Sequence, residues 1–244
     1  MKLRILIATI SICILFIGNP NQGLAGFQDF LKDAKKFLGQ EEGLTENEII
    51  NGLKEALEIG ISNAVGAVSK LDGYYKNPEI KIPLPNDVQK AEKYMRLAGF
   101  GNLVDDFELS MNRAAEQAAP EAKSIFWEAI KQMRFDDARK ILNGRDNEAT
   151  LYFEDKTSAR LTEVFKPIVG QVMSEVGVTR TYKDLNKKAQ TIPFVDSFSF
   201  DLDQYVTDRA LDGLFVMLAA EEKKIREDPA ARVTDLLKKV FGSK

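Results

Sequence analysis

Asn112, Arg113 and Glu116 fall within about one turn of an alanine-rich stretch, MNRAAEQAAPEAKSIFWEAIKQM (111–133), which also holds Trp127, the chain's single tryptophan. A guanidinium, a carboxamide, a carboxylate and an indole are more than a packing helix needs, and such residues can line a groove or a partner surface. Glu116 is also a residue type suited to acid–base work, as are Asp146 and Glu148 further along. Such work needs a carboxylate with a strongly shifted pKa inside a cleft. Spacing alone singles out none of them, so no catalytic residue is assigned.

Much other chemistry is excluded. The 244 residues contain no histidine, which removes His-based triads, Cys–His dyads, HExxH zinc sites and most transition-metal sites. The single cysteine, Cys13, lies in the apolar run at the start. No P-loop, G-x-G-x-x-G, G-x-S-x-G or S-x-x-K pattern is present, so no cofactor and no metal is predicted. Asp201-x-Asp203 could open a calcium loop, yet the glycine and later ligands are missing, and helix capping explains it better.

The first residues read as an export signal: Lys2 and Arg4, an apolar run from Ile5 to Ile17, and Gly23-Leu24-Ala25 as a small-residue cleavage site. Its apolar run is shorter than the roughly 20 residues that a membrane span needs. The expected organisation is a leader at 1–25, an amphipathic helix (27–38) and linker within 26–43, and one helical domain at 44–244. The expected location is the periplasm, with secretion beyond it as second choice, and no transmembrane anchor in the mature chain. The net charge of −3 becomes −5 once Lys2 and Arg4 are lost. No basic stripe stands out, which argues against nucleic acid as a partner.

The elements that must position the polar residues are helical. Apolar residues recur at the 3.6 period nearly everywhere, and strand alternation is almost absent. Thr45 and Glu48 form a capping box for a helix that also carries Gly52, Gly60 and Gly66, a spacing that suggests a close helix crossing. The proline-rich segment 72–85 reads as an extended connection covering part of the core. Helices are then predicted at 87–98, 103–118, 120–133, 136–142, 146–154, 157–176, 181–190, 202–227 and 233–241. The fold class is all-α: a compact multi-helix bundle around a long central helix at about 202–227, whose apolar middle, Leu214 to Leu218, predicts neighbours on all sides. Pro167 predicts a kink in 157–176.

Pro120 divides the opening stretch into two helices. Phe107, Met111, Ala114, Ala115 and Ala118 form the core stripe of the first, and Ala122, Ile125, Phe126, Ala129, Ile130 and Met133 that of the second. Asn112, Glu116 and Trp127 lie off those stripes. Two readings stay open: a solvated face with an Arg113–Glu116 pair, or a face lining a groove or partner surface. Tyr152 and Phe153 read as core.

GLKEAL, IPLP, MNRAAEQAAPEAK, RFDDARKIL, ATLYF, FKPIV, ALDGLF and DPAARVTDLLKKVFG, in that order over about 44–242, resemble the bacterial family catalogued as domain of unknown function 4197. The resemblance implies an exported, mostly helical protein. It carries no established activity or catalytic residues to transfer, but it does place Asn112, Arg113 and Glu116 in one of the family's characteristic stretches.

Three functional classes follow. The first is a periplasmic binding or interaction protein, with an apolar interhelical cleft beside the 157–176 helix, rimmed by polar residues including Arg113, and a small apolar ligand or an envelope protein as partner. The second is an envelope enzyme relying on carboxylates with Arg or Lys, and the third is a purely structural envelope protein. The first is favoured over the enzyme.

Overall fold

The computed structural model describes residues 45–175, 177–193, 195, 198, 200–232, 234 and 238. The leader, the 27–38 helix, Val176 and most of 233–241 lie outside the described residues. Within them the chain is all-α, and no strand occurs among the described residues.

Thr45 opens α1 (Glu46–Val68) with the expected capping box: its hydroxyl accepts the Glu48 N–H at 3.2 Å, and the Glu48 carboxylate accepts the Thr45 N–H at 3.0 Å. α2 (Asn86–Leu97) and α3 (Gly101–Ala118) are joined by a tight turn. There Gly99 takes φ +85°, and the Phe100 N–H reaches back to the Met95 carbonyl at 2.9 Å. This is the glycine-terminated helix ending that satisfies orphan carbonyls. Pro120 sits in a short 3-10 turn between α3 and α4 (Ala122–Gln132). α5 (Phe135–Asn143) follows.

α6 (Glu148–Glu175) is one helix of 28 residues where two were expected, at 146–154 and 157–176. No glycine or proline lies near the expected gap, so nothing breaks the hydrogen-bond ladder there. Pro167 lies within this helix, on an exposed side with Glu163, so the carbonyl it cannot serve belongs to a solvent-facing residue. The start of α6 is closed from another element. The buried carboxylate of Glu222 accepts the N–H groups of Ala149 and Thr150 and the Thr150 hydroxyl, each at 2.9 Å. These donors have no partner within their own helix. Arg226 neutralises Glu222 at 2.7 Å and donates to the Ile141 carbonyl at 2.8 Å, tying the end of α5 to the same point.

α7 (Val178–Ala189) starts after Gly177, whose φ is +85°. α8 (Leu202–Glu227) begins at Asp201, whose carboxylate accepts the Gln204 N–H at 2.9 Å. α8 is the central helix, packed most extensively against α6 and α1. Burial around its middle is one-sided, however. Leu214 and Leu218 are buried, Phe215 and Met217 are half-buried, and Val216 is 44% exposed. Val216 shares an outward stripe with Arg209, Asp212 and Lys223, all exposed, so α8 keeps one solvated side.

The connection after α1 covers the core, but hydrogen-bonded turns occupy most of 71–80 and only 81–85 run without them. Tyr74, Ile80, Ile82 and Leu84 are buried, and the Tyr74 hydroxyl donates to the Ala210 carbonyl of α8 at 2.6 Å. Gly213 makes room for it: a Cβ there would lie 2.7 Å from the Tyr74 ring and 3.1 Å from Ile80. The glycines of α1 do less. Gly60 would meet only ordinary contacts at 3.8 Å, and Gly66 faces open space.

Candidate functional site

The polar residues of α3 turn inward, toward this connection. Asn112 is fully buried, accepting the Ile82 N–H at 2.8 Å and donating to the Ile82 carbonyl at 2.9 Å and to the Glu108 carbonyl at 2.8 Å. Glu116 accepts the N–H groups of Tyr74 and Tyr75 at 3.1 and 3.2 Å through one carboxylate oxygen. Its other oxygen takes the Arg113 guanidinium at 2.6 Å. Arg113 bridges onward to Asp72, also at 2.6 Å.

Asp72 is the one described non-glycine residue with positive φ, at +65°, a conformation that short polar side chains tolerate best. Lys76 first, and then Arg113, hold its carboxyl below the usual carboxylate range. Burial first, with the Glu116 charge second, pushes the Tyr74 phenol far up, so it stays a neutral donor. Asn112, Arg113 and Glu116 therefore grip the chain's own connection over residues 72–82. Trp127 stands apart from them on α4, 39% exposed, with the Lys123 ammonium 4.7 Å from its ring centre.

The carboxylates considered for acid–base work are placed differently. Glu148 accepts Arg145 at 3.0 Å, and Arg145 chiefly holds its pKa down, so it is ionised. Asp146 is exposed beside it, and Glu116 is spent on the connection.

A groove of about 420 Å³ opens between α4, the start of α5 and the first half of α6. The α4 wall presents Glu128 and Gln132 above the buried Ile125 and Ala129. From α6 come Tyr152, Lys156 and Arg160, four residues apart and so stacked along one helical side. Arg134 and Asp137 close the end. Asp137 accepts the Arg134 backbone N–H at 3.1 Å, a bond that leaves the Arg134 guanidinium free.

Arg134 and Arg160, like the exposed Arg139 and Arg180, have no ion-pair partner among the described residues; of these four, Arg134 and Arg160 line the groove. Lys156 pairs with its neighbour Asp155 at 3.0 Å, both largely exposed, an arrangement that contributes little. Tyr152 is half-buried. Burial first, and then the nearby charge of Asp137, raise its pKa and keep it a neutral hydroxyl. Thr157 donates to the Phe153 carbonyl at 2.6 Å and is already used.

This site differs in place and character from the apolar cleft expected beside Pro167. In the second half of α6, Leu161, Phe165, Val169 and Met173 are buried, and Gly170 brings the backbone close to Asp203, which a Cβ would meet at 3.2 Å. Arg113 is committed elsewhere. An apolar hollow among Leu53, Leu57, Ile141, Leu218 and Ile225 measures about 20 Å³, room for about one water-sized sphere. Periodicity alone does not reveal the groove, because it reads Tyr152 and Phe153 together as core and divides the helix after residue 154. The four-residue spacing of Tyr152, Lys156 and Arg160, opposite the buried Phe153, Leu161 and Phe165, was the available signal.

The described residues thus define an all-α bundle with a charged interhelical groove. Residues 43–242 match the family model described as Protein of unknown function (DUF4197), and the chain belongs to that family. No curated protein and no solved structure matches the chain.

Proposed function

We propose that the protein is exported to the periplasm, with 1–25 as its leader and the helical domain from residue 44 as its working part. There it serves as a binding protein, with its ligand in the groove between α4, α5 and α6. The observation that carries this reading is the pair of unpartnered guanidinium groups, Arg134 and Arg160, in one groove of about 420 Å³. That volume falls in the range of about 300–1,000 Å³ usual for small-ligand sites. No helix among the described residues is long and apolar enough to cross a membrane, as a freely diffusing binding protein requires.

The roles follow from position. Arg134 and Arg160 supply charged hydrogen bonds, Tyr152 and Gln132 supply neutral ones, and Ile125 with Ala129 forms the apolar floor. The grip of Asn112, Arg113 and Glu116 supports the site indirectly, by fixing the connection against α3 and α8. Amide NMR of the ¹⁵N-labelled mature chain, exposed to a small-molecule extract of its own cell envelope, tests this. Shifts should concentrate at 125–137 and 152–160, and shifts confined to other regions would overturn the reading.

A further inference from the structure

The charged groups of the groove are of both signs. Arg134, Lys156 and Arg160 face Glu128 and Asp137 within the same 420 Å³. Of the five, only Lys156 has an ion-pair partner, the neighbouring Asp155. Asp137 accepts the Arg134 backbone N–H, and Arg134, Arg160, Glu128 and Asp137 have no ion-pair partner among the described residues. A simple dianion placed here would bring its charge against Glu128 and Asp137, whereas a simple cation would meet three bases. Only a ligand that carries both signs satisfies the free groups together.

We infer that the groove binds a zwitterion of short-peptide size, its carboxylate held by Arg134 or Arg160 and its ammonium by Glu128, with small apolar side chains against Ile125 and Ala129. This rests on the reading of the groove as a binding site. The scale of the groove fits a short peptide: its α6 wall runs about 12 Å from Tyr152 to Arg160 at roughly 1.5 Å per residue, room for an extended tripeptide of about 10 Å at roughly 3.3–3.6 Å per residue to lie along it. The guanidinium fork matches a carboxylate in two-point fashion, and Glu128 extends from α4 on the opposite wall.

The test uses trialanine with free termini, its N-acetylated form, its C-amidated form, and succinate as a dianion without an ammonium. Each is titrated into the folded, labelled mature protein, followed by amide NMR. Free trialanine is expected to shift amides at 125–137 and 152–160, and each capped form to bind at least about tenfold more weakly. Glu128→Gln should weaken free trialanine while leaving the N-acetylated form unchanged, a pattern that mere loss of fold would not produce. Capped forms binding as well as the free peptide would overturn the charge assignment, as would succinate binding the groove while trialanine does not, or silence toward every probe. Of these, succinate in the groove would leave the binding reading standing, whereas trialanine shifts confined to regions outside the groove would count against both.

Discussion

The side-chain amide of Asn112 pairs with both backbone groups of Ile82, accepting its N–H at 2.8 Å and donating to its carbonyl at 2.9 Å. One helical residue thereby does for the buried connection what a neighbouring strand would do in a sheet. Buried backbone groups must find partners, and beyond the hydrogen-bonded turns that end at Lys81 the Pro-rich segment has none of its own to offer Ile82.

Asn112→Leu removes both partners at once, so two buried backbone groups lose their hydrogen bonds. Each such loss costs about 1–3 kcal/mol, and the expected total for the two is about 2–6 kcal/mol. Urea denaturation of the variant and the wild type checks it, and a loss below about 1 kcal/mol would show that water reaches Ile82.

Arg113→Ala should cost about 1–3 kcal/mol, because it leaves Glu116, whose side chain is only 4% exposed, without its cation. The comparison is Lys90→Ala, which breaks an exposed pair with Asp87. That change should stay within about 0.5 kcal/mol. Equal effects of the two substitutions would return Arg113 to ordinary surface.

Two glycine substitutions should act in opposite directions. Gly66→Ala in α1 meets nothing within 4 Å, so the usual gain of alanine over glycine inside a helix applies, about 0.5–1 kcal/mol. Gly213→Ala would press on Tyr74, which cannot retreat because it is fully buried and bonded to Ala210. Overpacking of this kind costs about 1–3 kcal/mol. Thermal melts of both variants read the two signs.

The pH profile follows from the absence of histidine and from the held-down carboxylates. Lys76 and Arg113 act on Asp72, Arg96 on Asp105, Arg145 on Glu148 and Lys166 on Asp201, each lowering the folded-state pKa. A group depressed on folding contributes stability that is present above its unfolded pKa and lost as pH falls through its folded one. The ordinary values are 3.8 for these aspartates and 4.5 for the glutamate. The urea midpoint should therefore be flat between about pH 5.5 and 8 and fall below about pH 4. A step near pH 6.5 would contradict this.

Periodicity made most of the fold legible. The Thr45–Glu48 box, the Pro120 division and the α8 cap at Asp201 are local chemistry and stand where their residues placed them, whereas the break expected between 154 and 157 is absent from α6. The grip on the connection was half legible. Asn112, Arg113 and Glu116 stood out because they lie off the apolar stripe, but their partners, Ile82, Asp72, Tyr74 and Tyr75, are 30 to 42 residues away in the chain. No local pattern encodes such a pairing. Glu222 was invisible for the same reason, since capping the start of α6 from 72 to 73 residues away depends on tertiary packing alone. The all-round burial expected of Leu214 to Leu218 failed at Val216, where the charged residues at 209, 212 and 223 already marked an outward side.

The most direct test of the binding account is native mass spectrometry of the mature protein purified from the cell envelope that contains it. Wild type is compared with an Arg134→Ala/Arg160→Ala double variant and with Lys166→Ala, which breaks an ion pair to Asp201 outside the groove. The account predicts a small retained mass on the wild type and on Lys166→Ala that is lost from the double variant while its fold, read by circular dichroism, is unchanged. No retained mass on the wild type, or the same mass on the double variant, would contradict it.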